Sequence, residues 1–118
     1  MKNHNMLGRF RFAMQGLRAT IKTERSFRSH LVAAVLVAAL LLLTRPAPLW
    51  WALMLLAMAV MMTVELINTA VEKLADFIHP GQHETIGYVK DTLAAAVFMS
   101  CAAGAIVLAA FLWTELGL

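Results

Sequence analysis

Apolar residues recur at three- and four-residue spacings at Met6, Phe10, Ala13, Met14, Leu17 and Ile21. Arg9, Arg11, Arg18, Lys22 and Arg25 fall mostly between them. That period predicts an amphipathic helix over residues 5–28, an apolar stripe in a basic surround of the kind that lies in a membrane interface. Residues 31–43 are then unbroken apolar, about 20 Å of helix, which predicts a first span over residues 29–44. This is short for a hydrocarbon core of about 30 Å, so flanking residues complete the crossing or the bilayer thins. Arg45-Pro46-Ala47-Pro48 stops it, because proline lacks an amide hydrogen and clashes with the preceding turn. A second apolar run, residues 49–64 interrupted only by Thr63, opens on Trp50 and Trp51, residues suited to an interfacial belt. No Gly or Pro separates it from the polar positions that follow, so one helix is predicted over residues 49–78, about 45 Å long. His79-Pro80-Gly81-Gln82-His83-Glu84-Thr85 reads as a loop, residues 87–91 as a lead-in, and residues 92–114 as a third span anchored by Trp113. That span is rich in Ala, Ser and Gly, which let helices approach closely in lipid.

Composition agrees with this pattern. Of 118 residues, 61% are hydrophobic and 14% charged, against about 25% charged in soluble domains; mean hydropathy is +0.73. The chain reads as one all-α membrane domain over residues 1–118. Its net charge of +3 is unevenly spread: Lys2, Arg9, Arg11, Arg18, Lys22, Arg25 and Arg28 crowd the N-terminal end. An anionic membrane surface suits that cluster better than nucleic acid. Basic residues stay in the cytoplasm, so the N-terminus and residues 77–91 are expected on the cytoplasmic side of the membrane, with residues 45–48 and the C-terminus outside. The long charged segment before the first apolar run argues against a cleaved signal peptide. The single Cys101 excludes an intrachain disulfide. Neither a phosphate-binding glycine loop nor a dinucleotide fingerprint is present, so any nucleotide chemistry uses another cradle.

The chemistry concentrates in Val64-Glu65-Leu66-Ile67-Asn68-Thr69-Ala70-Val71-Glu72-Lys73-Leu74-Ala75-Asp76. Helical spacing stacks Glu65, Asn68, Glu72 and Asp76 on one face. An ionised carboxylate at the edge of an apolar run is costly unless it is paired or binds a metal. The topology brings Glu24, Glu84, Lys90 and Asp91 to the same membrane face, leaving only Glu115 on the other. Carboxylates with phosphate oxygens are usual Mg²⁺ ligands. Glu65, deeper in the apolar layer, is suited to take a proton from a lipid hydroxyl. Lys90 is suited to offset phosphoryl charge, and Asn68 to orient Glu65 or a ligand.

These motifs resemble the bacterial integral-membrane diacylglycerol kinase family, which includes the undecaprenol kinases. Residues 64–72 and Asp76 are similar to its signature, and Lys90-Asp91 with Ala94-Ala95-Ala96-Val97 to its second. Gly16-Leu17-Arg18 and Lys22-Thr23-Glu24-Arg25-Ser26-Phe27-Arg28 resemble its N-terminal pattern. The resemblance implies a homotrimer with three transmembrane helices and a surface helix per subunit, active sites shared between subunits, and MgATP as phosphoryl donor. By position it makes Glu65 the general base and Glu24 and Glu72 the metal ligands. It puts Glu24, Asn68, Glu72, Asp76, His83, Lys90 and Asp91 on the ATP side, and Arg18, Phe27, Arg28 and Glu65 on the lipid side. The implied reaction converts diacylglycerol to phosphatidic acid, or undecaprenol to undecaprenyl phosphate. His30 stands where the enterobacterial type has an acid, Phe12 and Gln82 where it has tyrosines, and Tyr88 where a small or basic residue is usual. The run from Lys22 to His30 looks more like the undecaprenol kinase branch.

Plainer readings stand beside these. His30 reads as an interfacial helix residue and Lys73 as a solvated or snorkelling one. His79 and His83 lack the matching second pair that zinc needs. The methionines read as lipid-facing or core fillers. A transporter would place its acids at the bilayer midplane, on discontinuous helices; here they gather at one face. A structural membrane subunit would leave Glu65 and Glu72 replaceable.

Overall fold

The computed structural model describes residues 5–118; Lys2 of the basic cluster lies outside them. Four helices occur among the described residues, with no strand: α1 Met6–Thr23, α2 Arg25–Thr44, α3 Pro48–Ile78 and α4 Glu84–Leu116. The last three are long and apolar enough to cross a membrane. The chain is therefore an all-α protein with three candidate spans, and these fit a multi-pass membrane protein.

The helix expected over residues 5–28 is two helices. It breaks at Glu24, whose backbone is extended, and residues 25–28 open α2. Local side-chain bonding explains the break. Thr20 and Thr23 hydroxyls donate back to the carbonyls of Gly16 and Ala19. Arg28 Nη1 donates to the carbonyls of Ile21 (2.8 Å) and Lys22 (3.0 Å). Carbonyls that a continuing helix would pair with amides are thus satisfied by a side chain from the next helix. Phe27, fully buried, pins the start of α2. At the other end of α1, Asn5 caps by accepting from the Gly8 amide at 2.8 Å.

α2 ends on Arg45 in the left-handed conformation, its amide bonded to Leu41. Pro48 then starts α3, where its missing amide hydrogen is no loss. After α3, His79 Nδ1 lies 3.1 Å from the Gly81 carbonyl oxygen within the short loop. α4 starts at Glu84, well ahead of the expected span. His83 Nδ1 accepts from the Thr85 amide, and Glu84 sits in the first turn, where its charge complements the helix dipole. Gly87 is no breaker: its amide donates to the His83 carbonyl. The charged lead-in is therefore the first two turns of α4. Gly117, with φ of 69°, ends the helix.

α3 is the central helix, packed most extensively on α4, then on α2, while α1 meets α2. The apolar core sits near the α2–α3 turn, where Leu41, Met54 and Phe111 are buried. Trp50 meets Phe111 edge-on at 5.5 Å, a favourable aromatic geometry. This fixes one end of the helix group and leaves the polar half of α3 at the other. Only 11% of the apolar window in each long helix is buried within the chain, so its surroundings must be largely apolar.

A carboxylate column along the central helix

Glu65 is the most buried acid, with 4% of its surface exposed. Both of its oxygens are engaged from α2: Ser26 Oγ donates to Oε2 at 3.2 Å, and His30 Nε2 lies 3.3 Å from Oε1. Ser26 and His30 are one helical turn apart, so their side chains share a face of α2. The interfacial reading of His30 gains a specific partner in this contact. The α2–α3 packing, not any local pattern, brings it to Glu65.

One turn beyond Glu65, Asn68 carries a buried Oδ1 with no hydrogen-bond partner among the described residues. A turn further, Glu72 is half-buried and makes no hydrogen bond or ion pair with them. Glu24 occupies the single residue between α1 and α2, its Oε1 3.4 Å from Lys73 Nζ. Lys73, read as a solvated neighbour, thus ties the Glu24 junction to α3 beside Glu72. Asp76 Oδ1 accepts from Lys90 Nζ at 2.6 Å, joining the far end of the column to α4. Lys90 precedes the apolar run of α4; its hydrogen bond to Asp76, then the charges of Asp76 and Glu72, favour its cationic form.

Among the described residues, no three His, Cys, Asp or Glu side chains form a metal-holding group. The donor set nevertheless suits a hard cation that brings further oxygens with it. Glu72 has no counter-charge bonded to it, the Asn68 carbonyl oxygen is unsatisfied, and Glu24 is held by one exposed lysine. Divalent cations such as Mg²⁺ take one or two protein carboxylates and complete their shell with phosphate and water oxygens.

Beside this column, residues 80–90 surround an open cleft of about 560 Å³ lined by Gly81, Gln82, His83, Glu84 and Lys90, large enough for part of a small ligand. The His83 and His79 rings meet edge-on at 5.1 Å. Asp91 is exposed on α4 and Arg18 on α1. Two residues assigned to the lipid side have other engagements. Phe27 has no exposed surface, and Arg28 Nη1 is committed to the last carbonyls of α1. A groove lined by Ala13, Met14, Gly16, Leu17, Thr20, Leu66 and Ala70 runs between α1 and α3. Its lining is almost wholly apolar, and Leu66 within it is the next residue after Glu65 on α3.

The family model for prokaryotic diacylglycerol kinase matches residues 11–112. The chain belongs to this family. As a member of the prokaryotic diacylglycerol kinase family it is a lipid kinase, as the motifs led us to expect. It is 29% identical over 96 residues to the diacylglycerol kinase of Haemophilus influenzae, covering 81% of each chain. It is 33% identical over 102 residues to the undecaprenol kinase of Bacillus subtilis, covering 83% of each. It is also 33% identical over 104 residues to a diacylglycerol kinase of Synechocystis, covering 87% of this chain and 59% of that one. Kinases of this family transfer a phosphoryl group from ATP, generally with a divalent metal, and the column and cleft are read with that in view.

Proposed function

We propose that this kinase phosphorylates the primary hydroxyl of a membrane lipid alcohol at the cytoplasmic face of the bacterial inner membrane, converting diacylglycerol to phosphatidic acid. The observation that carries this reading is the buried, doubly held Glu65, in line with Asn68, Glu72 and Asp76 along α3. Glu65 is the general base. It takes the proton of the lipid hydroxyl as that oxygen bonds to the γ-phosphorus of ATP and the bond to the bridging oxygen breaks, releasing ADP.

Glu24 and Glu72 would hold Mg²⁺, with Asn68 beside them; a bound divalent ion supplies charge neutralisation across the phosphate oxygens. Lys90, steered by Asp76, offsets charge on the transferring group, and His83 and Asp91 border the nucleotide. On the lipid side, Arg18 is exposed to meet the headgroup region, Phe27 is buried in the first turn of α2, and Arg28 sets the direction of α1. α1, with no buried residue and Met6, Leu7 and Phe10 well exposed, lies in the headgroup layer as an amphipathic surface helix. The chain assembles as a homotrimer that shares sites between subunits. The slight burial of the three long helices within one chain supports this reading.

A second substrate is favoured by a separate observation. The undecaprenol kinase relative is as similar to this chain as one of the diacylglycerol kinases, and more similar than the other. A polyprenol fits the same chemistry, since its hydroxyl is also presented at the interface from an apolar chain.

The deciding experiment incubates membranes holding the kinase with radiolabelled ATP, Mg²⁺ and either diacylglycerol or undecaprenol. Label enters the extracted lipid, and Glu65→Gln abolishes it. An unlabelled lipid fraction with both alcohols, or full activity in Glu65→Gln, would overturn the reading.

A further inference from the structure

A carboxylate buried as deeply as Glu65 is costly without polar partners. One hydrogen bond would lower that cost. α2 instead presents two polar side chains a turn apart, Ser26 on Oε2 and His30 on Oε1. An ionised carboxylate only accepts, so both partners act as donors, and the imidazole contact requires the proton on Nε2. Each carboxylate oxygen has two lone pairs, so one on each is left for a substrate hydroxyl. The pair holds both oxygens and thus sets the plane of the carboxylate, not only its charge. The His30 side chain is 16% exposed against 6% for Glu65, so it stands at the edge of the site.

We propose that His30 is a positioning residue for Glu65. Its Nε2–H faces Oε1 and keeps the carboxylate aimed at the lipid hydroxyl, with Ser26 bracing the other oxygen. This rests on the reading of Glu65 as the base. The role is that of a fixed donor, and His30 itself neither gains nor loses a proton in the reaction. A positional error of about 1 Å in a reacting group costs on the order of 10²-fold in rate, so loss of the donor falls on kcat. ATP binds elsewhere in the column, so its KM is spared.

The test uses the full-length kinase in lipid micelles, with diacylglycerol and MgATP, and compares His30→Leu, His30→Gln, His30→Asn and Glu65→Gln with wild type. His30→Leu lowers kcat by about 10- to 100-fold while the KM for ATP moves less than about two-fold. His30→Gln places an amide N–H near the position of Nε2 and recovers most of kcat. If His30→Leu fails to fold, His30→Asn carries the test, because its shorter amide stays polar but falls short of Oε1; it loses kcat where His30→Gln keeps it. Wild-type kcat in the folded leucine or asparagine variant overturns the inference. So does a glutamine variant as slow as these, which would require a titrating ring instead of a fixed donor. The two readings separate cleanly: an active Glu65→Gln removes the base assignment itself, whereas an inactive Glu65→Gln beside a fully active His30→Leu removes only the role of His30.

Discussion

Lys90 Nζ lies 2.6 Å from Asp76 Oδ1, joining the first turns of α4 to the last turns of α3 across a short loop. The pair is solvent-accessible on both sides, and such pairs add little to stability. Its effect is on where the cation sits: Asp76 holds Lys90 over the edge of the cleft, near Glu72. Lys90→Met is therefore expected to leave the melting temperature almost unchanged and to lower kcat by about 10²-fold, the usual cost of removing a group that stabilises transition-state charge. Asp76→Asn, which keeps Lys90 but releases it, is expected to give a smaller loss. Thermal unfolding and steady-state kinetics on the two variants check this.

Glu72 and the unsatisfied Asn68 oxygen point to a cation held jointly with phosphate. Chelation of Mg²⁺ is expected to abolish turnover while the kinase stays in the membrane fraction, and added Mg²⁺ to restore it. Glu72→Gln is expected to raise the Mg²⁺ concentration needed for half-maximal rate by at least about tenfold, since one carboxylate of the proposed two-carboxylate site is lost. A Mg²⁺ titration of the variant is the measurement. Activity that survives strong chelation would contradict the metal role of Glu24 and Glu72.

Arg28 closes the end of α1 with one nitrogen on two carbonyls. Arg28→Ala is expected to fray residues 19–23 and loosen α1 from α2, which hydrogen exchange reports as faster exchange confined to α1. Charge-assisted hydrogen bonds contribute about 1.5–3 kcal/mol when buried. These are exposed, so global stability is expected to fall by less than that range.

α3 and α4 approach closely at Gly104, where a Cβ would stand 2.5 Å from Met61 Sδ. The methionine end is flexible, so Gly104→Ala is expected to be mild. Gly104→Leu has to push the helices apart, an overpacking cost of about 1–3 kcal/mol. Met61 is one turn before Glu65, so kcat is expected to fall with stability. Denaturation and kinetics on the two variants give the comparison.

The lipid preference is open to a direct comparison. Turnover of diacylglycerol and undecaprenol by the same preparation is expected to favour the lipid whose chain best fills the groove of Ala13, Leu17, Leu66 and Ala70. Leu17→Trp, which narrows that groove, is expected to change the ratio of the two rates more than it changes the KM for ATP.

The sequence by itself determined the three long apolar helices, the Pro-bounded turn between the first two, and the alignment of Glu65, Asn68, Glu72 and Asp76 on one helix face. Each follows from local period and from the preference of a residue for lipid or water, which neighbours along the chain are enough to set. Helix ends were legible where proline dictated them and at the start of α1. The break at Glu24 depends on Arg28 reaching back, and the early start of α4 on a histidine cap, both of which compete with residues that look equally helical or equally loop-like.

Only the tertiary structure decided who stands beside each carboxylate. Ser26 is 39 residues from Glu65, and His30 and Lys73 make their contacts from separate helices. Such pairings depend on helix rotation and approach, which are set by how Leu41, Met54, Trp50 and Phe111 pack at the opposite end of the bundle. A polar residue at the mouth of a span has the same local pattern whether it faces lipid headgroups or a buried carboxylate. The rotation of its helix settles which.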